Sequence, residues 1–325
     1  MRKLIIPLSV FVFLLGLFVF IFSHFAVSKK DISFFVHGGR GLSGIAYDLE
    51  RQDVISSGFV FKVYSKILGL TNDCDVIYEG EYVIKEGESF VSIIKNICNG
   101  KVVLKQITIP EGLETREVVE LLNNNNDLSG EKIIATKEAI IMPDTYTFDS
   151  KFDRQKLFQK MKSNLTDYIN KFWDERIRND FIQTKQELLI LASIVEKEAK
   201  TDEERPIIAS VYLNRLAKGM RLEACPTAIY ETTKGQYKFN RTLTIKDTQK
   251  KGDYNTYRKK GLPIAPICNP GVNSILAVLY PAETKYLYFV AKADLSGHLF
   301  AETYNEHLKN IKAIKEEKRA RGQQK

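Results

Sequence analysis

Near the N-terminus, Leu4 to Val27 is apolar apart from Pro7, Ser9, Ser23 and His24. As a helix this run spans ~36 Å, enough for the ~30 Å hydrocarbon core of a bilayer. It constrains everything that follows, because a chain tethered at one end must fold the rest on one side of a membrane. Arg2 and Lys3 precede it, which keeps the N-terminus cytoplasmic and sends the remainder outward. A cleaved signal peptide is the competing reading, with Ala26-Val27-Ser28 as its cleavage site. The run exceeds the ~7–15 apolar residues of a signal peptide. We therefore expect an uncleaved anchor over residues 1–30, a single pass, and a body on the extracytoplasmic side of the inner membrane.

The 325 residues leave room for a sizeable core and an accessory module. Lys+Arg 48 against Asp+Glu 40 gives a net charge of +8, a mildly basic surface suited to anionic polymers. The basic residues form no aromatic-interleaved stripe, so nucleic acid is not an expected partner. The cysteines Cys74, Cys98, Cys225 and Cys268 make no CxxC, and the histidines make no HExxH. Neither a metal site nor a cofactor is expected. In an oxidising compartment the spacings allow Cys74–Cys98 and Cys225–Cys268 disulfides; buried free thiols are the alternative.

A strand–turn–helix pattern occurs three times. IKEGESFVSIIKNI (84–97) and IPEGLETREVVELL (109–122) are close copies, and VHGGRGLSGIAYDL (36–49) is a looser one. Counting from Gly39, Gly87 and Gly112, apolar residues fall six and ten positions on, along one helix face. The looser copy contains Gly39-Arg40-Gly41-Leu42-Ser43-Gly44, the outline of a dinucleotide fingerprint. No acidic ribose partner follows ~20 residues later, so a turn is the better reading. A loop is expected at Asn123–Asn126, then helices over 157–172, 185–200 and 203–218. A long loop follows over Asp247–Gly271, rich in Gly, Pro, Asn and Tyr. Strands at 285–292 and 297–301 come next, and a charged helical tail after Glu302. The fold class expected is α+β.

The stretch ILASIVEKEAK (190–200) ends an apolar helix in two glutamates. Thr184-Lys185-Gln186-Glu187 is a capping box that starts this helix at about Lys185, and Thr201–Glu204 reads as a second box. At about 100° per residue, Glu196 shares a face with Leu189, Ala192 and Ser193, whereas Glu198 lies beside Leu191 and Ile194. Small neighbours leave room for a ligand, so Glu196 is the candidate acid. Bulky ones suggest packing, with Arg205 or Arg215 as an ion partner for Glu198. Two ordinary helix-end charges are the other reading. Tyr254-Asn255-Thr256-Tyr257 and Cys268-Asn269-Pro270-Gly271 suit a sugar, rings stacking on it while amides bind hydroxyls. An ordinary structured turn is again the alternative.

MPDTYTF (142–148), LASIVEKEA (191–199), SVYLNRLAKGMRLEACPT (210–227), YNTY…KGLPIAPICNPG (254–271) and YLYFVAKADLSGHLFAETYNEH (286–307) follow the anchor in order. In this the chain resembles the YceG-like family. The resemblance implies a LysM-like membrane-proximal module over 31–103 and a catalytic domain over 104–325. It implies a membrane-anchored lytic transglycosylase that cuts the MurNAc–GlcNAc bond of peptidoglycan and leaves 1,6-anhydro ends. It carries the catalytic role onto Glu196, with Tyr254, Asn255, Thr256, Tyr257, Asn269 and Ser193 at the glycan. The family often has Asp at the position of Cys225, which favours a Cys225–Cys268 bridge. Peptidoglycan synthases (penicillin-binding proteins) are the implied protein partners. Two rivals remain: a muramidase that uses water, with Asp247, Asp253 or Glu223 as second carboxylate, and a non-enzymatic wall-binding scaffold.

Overall fold

The computed structural model describes Val10, residues 27–69 and residues 76–322. The expected anchor and Cys74 lie outside the described residues. Among those described, no helix is long and apolar enough to cross a membrane. The chain divides into two compact units, Met1–Gln106 with Thr147–Phe152, and Ile107–Tyr146 with Asp153–Lys325.

In the first unit, β1 (Ile32–Val36) pairs antiparallel with β2 (Gly80–Ile84), placing Phe34 opposite Tyr82. Period-two alternation turns Phe34, Val36, Tyr82 and Ile84 inward. Helices α1 (Leu42–Arg51), α2 (Gly58–Gly69) and α3 (Phe90–Cys98) complete this core through Ile45, Leu49, Phe61, Phe90, Ile93 and Ile97. The repeat seen in sequence is a repeat in space. Gly39, Gly87 and Gly112 have φ of 76°, 78° and 75°, a left-handed backbone that glycine adopts without penalty. Ile45, Leu49, Ile93, Ile97, Val118 and Leu122, six and ten residues on, are all buried. A side chain at Gly39 or Gly41 would meet open space, and at Gly44 only the Arg40 side chain. These glycines permit turns and no close backbone approach.

The next elements are β3 (Leu104–Thr108), α4 (Thr115–Asn123), β4 (Leu128–Ser129), β5 (Thr145–Asp149) and β6 (Phe152–Asp153), with β3 paired to β5 and β4 to β6. Helices α5 (Arg154–Trp173), α6 (Lys185–Glu198), α7 (Arg205–Ala217), α8 (Cys225–Thr233), the short α9 (Ile245–Gln249) and α10 (Val272–Leu279) follow. The second unit's core joins Leu188, Leu191, Ile194 and Val195 of α6 to Ile208 and Tyr212 of α7 and Ile275 and Val278 of α10. The hairpin of β7 (Tyr288–Ala291) and β8 (His298–Ala301) leads into α11 (Tyr304–Gly322). The tail is thus a helix, largely exposed, yet its first turn sets His307 against the Tyr288 ring at 5.3 Å.

Two local expectations meet different outcomes. The capping box at Thr184 and Glu187 forms in full. The second box does not: the N-cap of α7 is Glu204, which makes no side-chain cap bond. Its carboxylate instead accepts from the His298 backbone N–H and pairs with His298 Nδ1 at 2.9 Å. The Cys225–Cys268 bridge is corrected as well. Both are free thiols, Cys225 exposed and Cys268 buried with its Sγ on the Ser193 carbonyl at 3.4 Å, while Cys98 is disulfide-bonded.

Candidate functional site

Glu196 and Glu198 both close α6, and the chain meets them differently. Glu196 Oε2 accepts from Arg205 Nη1 at 3.1 Å, from the Gly271 N–H at 3.0 Å and from Ser274 Oγ at 2.8 Å. Its side chain is 7% exposed. Arg205 also holds Asp202 at 2.8 Å and bonds Ser274 Oγ. This carboxylate therefore braces the end of α6 to the starts of α7 and α10. The small residues on its face serve packing: Ser193 is fully buried, donating to the Ile190 carbonyl and accepting from the Ile267 N–H at 3.0 Å. The room beside Glu196 is filled by the 267–274 segment.

Glu198 lines a cavity of about 250 Å³ with Tyr212, Arg215, Glu223, Cys225, Tyr257, Phe289 and His307 among its other lining residues. Ligand pockets for whole small molecules run to ~300–1,000 Å³, so this one lies just below that range. Burial pushes the Glu198 carboxyl up to about 7, partly offset by hydrogen bonds from the Tyr212 hydroxyl and the Cys225 N–H and by Lys200 and Arg215. The residue keeps some solvent access although its carboxyl is packed on nearly all sides. A carboxyl so placed holds a proton near neutrality and can give it up. Tyr257 Oη lies 3.1 Å from Cys225 Sγ, and burial raises both groups, so both stay protonated at neutral pH.

Of the glycan-binding candidates, Tyr257 reaches this cavity. Asn255 is fully buried, and its Nδ2 donates to the carbonyls of Asp247, Thr248 and Lys250 while Oδ1 accepts from the Tyr257 N–H. Thr256 ties the loop to α8 through the Ala224 N–H at 3.0 Å and Thr227 Oγ1 at 2.8 Å. Asn269 accepts from Ile140 and Ile141 N–H and donates to the Leu113 carbonyl and Thr115 Oγ1. The Tyr254 ring packs on Tyr230 at 4.7 Å, with Lys234 4.8 Å from its centroid. The Asn255, Thr256 and Asn269 side chains satisfy backbone groups, which a buried loop requires. Among the rival carboxylates, Asp247 is clamped by Arg241 at 2.6 and 2.7 Å, which holds it low, and Asp253 faces Lys259. Glu223 does line the cavity, 3.6 Å from Arg215.

Sequence reasoning assigned Glu198 to packing, with Arg205 or Arg215 as its ion partner, gave Cys225 to a disulfide, and passed over Tyr212 and His307. The signal was present. Bulky Leu191 and Ile194 beside Glu198 imply burial, and burial is what raises a carboxyl.

Residues 34–313 match the YceG-like family. An endolytic murein transglycosylase of Bacillus subtilis is 30% identical over 314 residues, 87% of this chain and 84% of that protein. An endolytic murein transglycosylase of Streptococcus pneumoniae serotype 2 is 23% identical, and this chain spans 59% of its length. A YceG-like protein of Listeria monocytogenes, known from a 2.6 Å crystal structure, is 29% identical with a TM-score of 0.53, covering 87% of this chain and 99% of that one. With the match running from β1 into α11, the chain belongs to the YceG-like family.

Proposed function

We propose that this protein is an endolytic lytic transglycosylase of peptidoglycan in which Glu198, not Glu196, is the acid. The observation that carries the reading is the Glu198 carboxyl, its pKa raised to about 7, in a cavity of about 250 Å³ lined by hydroxyl, thiol, guanidinium and imidazole groups. Protonated Glu198 donates to the glycosidic oxygen as the bond to C1 of the muramic sugar breaks. The sugar's own 6-hydroxyl then closes on C1, and its proton passes to a base, for which the carboxylate just formed is available. The developing anion is met by the Tyr212 hydroxyl, the Cys225 N–H, Lys200 and Arg215, the groups that favour ionised Glu198. Ordinary glycosidases need a second carboxylate to activate water or attack C1. A tethered hydroxyl replaces that nucleophile, and intramolecularity favours it over water.

The family relatives named as murein transglycosylases support the same substrate. In this reading residues 1–30 anchor the enzyme in the membrane with the body outside. The module over 31–103 is LysM-like and holds the wall. The enzyme releases nascent strands beside peptidoglycan synthases. The rival with a structural foothold is a water-using muramidase with Glu223 as second carboxylate, since Glu223 lines the cavity.

The test is digestion of purified peptidoglycan by the full chain in detergent, with products read by mass spectrometry. Wild type and a folded Glu196→Ala variant should both yield anhydro-ended fragments, and Glu198→Gln none. Reducing muramic ends would establish the muramidase. Undiminished activity in Glu198→Gln would overturn the assignment of the acid.

A further inference from the structure

The mechanism above gives no task to His307, the imidazole of the cavity. His307 comes from the first turn of α11, far in sequence from the other groups it meets, and its ring lines the Glu198 cavity. The ring is set in place by aromatic neighbours: Tyr288 stacks on it at 5.3 Å and 24°, and Tyr304 lies at 6.4 Å. Its Nδ1 is buried and has no hydrogen-bond partner among the described residues. The other ring nitrogen, Nε2, also makes no hydrogen bond among the described residues and, unlike Nδ1, is not sealed from solvent, so it is the nitrogen that a group entering the cavity can reach.

The other groups that face the cavity narrow the role. Tyr212 and Tyr257 are pushed up by burial, as is the Cys225 thiol, so all three are protonated and cannot accept a proton near neutrality. Glu223 is held by Arg215. His307 is the reverse case: burial and the charge of Arg215 push its imidazole down, so the ring is neutral where Glu198 still holds its proton. A neutral imidazole beside a protonated carboxyl is a base beside an acid.

We infer that His307 is a second catalytic residue, the base that takes the proton of the attacking 6-hydroxyl. The inference rests on the transglycosylase reading. As the C1–oxygen bond breaks, the Glu198 proton goes to the departing 4-oxygen of the GlcNAc unit. As the muramic 6-oxygen bonds to C1, its proton goes to the imidazole. After product leaves, imidazolium loses a proton to solvent and the Glu198 carboxylate regains one. The cycle is balanced, and neither group has to serve as both acid and base within one turnover.

The experiment compares full-length wild type, His307→Gln and His307→Ala on purified peptidoglycan, measuring kcat, KM and the pH–rate profile, with thermal unfolding as a check on folding. Wild type should show a rate that rises with pH as the imidazole loses its proton and falls above about 7 as Glu198 ionises. His307→Gln should lose ~100-fold in kcat with KM little changed, and the acidic limb of the profile should vanish. Added imidazole should restore part of the rate in His307→Ala. An acidic limb that survives in His307→Gln, or a loss of rate that tracks lost stability without imidazole rescue, would overturn the inference. The two readings fail separately. Absence of anhydro ends from wild type defeats the transglycosylase, whereas anhydro ends with an unaltered His307→Gln profile defeat only this step.

Discussion

Glu196 and Glu198 leave the same helical turn two residues apart and enter opposite environments. Around Glu196 the chain supplies a guanidinium, a backbone N–H and a hydroxyl, all on one oxygen. Around Glu198 it supplies burial first and hydrogen bonds second, and the carboxyl moves up to about 7. One carboxyl is a strut and the other has its pKa raised by burial, although each belongs to a glutamate at a helix end. Carboxyl chemistry here is set by what covers the side chain, and the cover comes from α7, α8, the 254–257 loop and α11.

The sharpest way to break this contrast is to exchange each carboxylate for a neutral group. Glu198→Gln should lower kcat by ~10³ while leaving the fold intact, measured as anhydro-end release under saturating glycan. A variant within a few-fold of wild type would return Glu198 to the status of a buried charge.

The same residue gives a stability signature that needs no substrate. The folded-state pKa of Glu198, about 7, lies above the ordinary 4.5, so between those values the native state binds a proton the unfolded chain does not. That contribution is fully present below pH 4.5 and is lost as pH rises through 7, on the order of 3 kcal/mol. Glu198→Gln lacks this loss. Its stability relative to wild type should therefore grow by on the order of 3 kcal/mol between pH 5 and pH 8 in denaturant titrations. A difference that stays flat with pH would show that Glu198 is not perturbed.

Glu196→Ala should do the opposite of Glu198→Gln. Removing one partner of a buried ion pair costs ~3–5 kcal/mol; Asp202 and Glu111 remain beside Arg205, so about 2–3 kcal/mol is expected. At a temperature where the variant is folded, its turnover should match wild type. A folded but inactive Glu196→Ala would restore the sequence-based assignment.

The geometry departs from the open face expected at Glu196 for a definable reason. Much of the fold was legible locally: the Thr184 capping box, the glycine turns at Gly39, Gly87 and Gly112, and the hairpin after residue 285 all rest on contacts within a few residues. A helical wheel shows which residues share a face, but not what is laid on it. The small face of Glu196 reads as open, yet Gly271 and Ser274, some seventy-five residues on, close it. Polar loop residues mislead in a similar way. An amide that binds a sugar hydroxyl and an amide that satisfies a loop carbonyl are the same residue in sequence, and Asn255 and Asn269 proved to be of the second kind. His307 was hidden in a charged tail because its role depends on the Tyr288 ring across the hairpin.

The smallest predicted effect sharpens the comparison most finely. Tyr212 is fully buried, lies 5.9 Å edge-on to Phe289, and its hydroxyl is bonded to Glu198. That bond favours the ionised carboxylate, so Tyr212→Phe should move the alkaline limb of the pH–rate profile upward, by less than about one pH unit, for a bond of ~0.5–1.5 kcal/mol. The ring and its packing are unchanged, so the stability cost should stay near ~1 kcal/mol and KM should hold. A downward shift would mean that the hydroxyl accepts from protonated Glu198 and stabilises the acid form. No shift would mean that the Tyr212 hydroxyl contributes nothing there, and that burial of Glu198 is opposed only by the Cys225 N–H, Lys200 and Arg215, a weaker set of contacts than the three that hold Glu196.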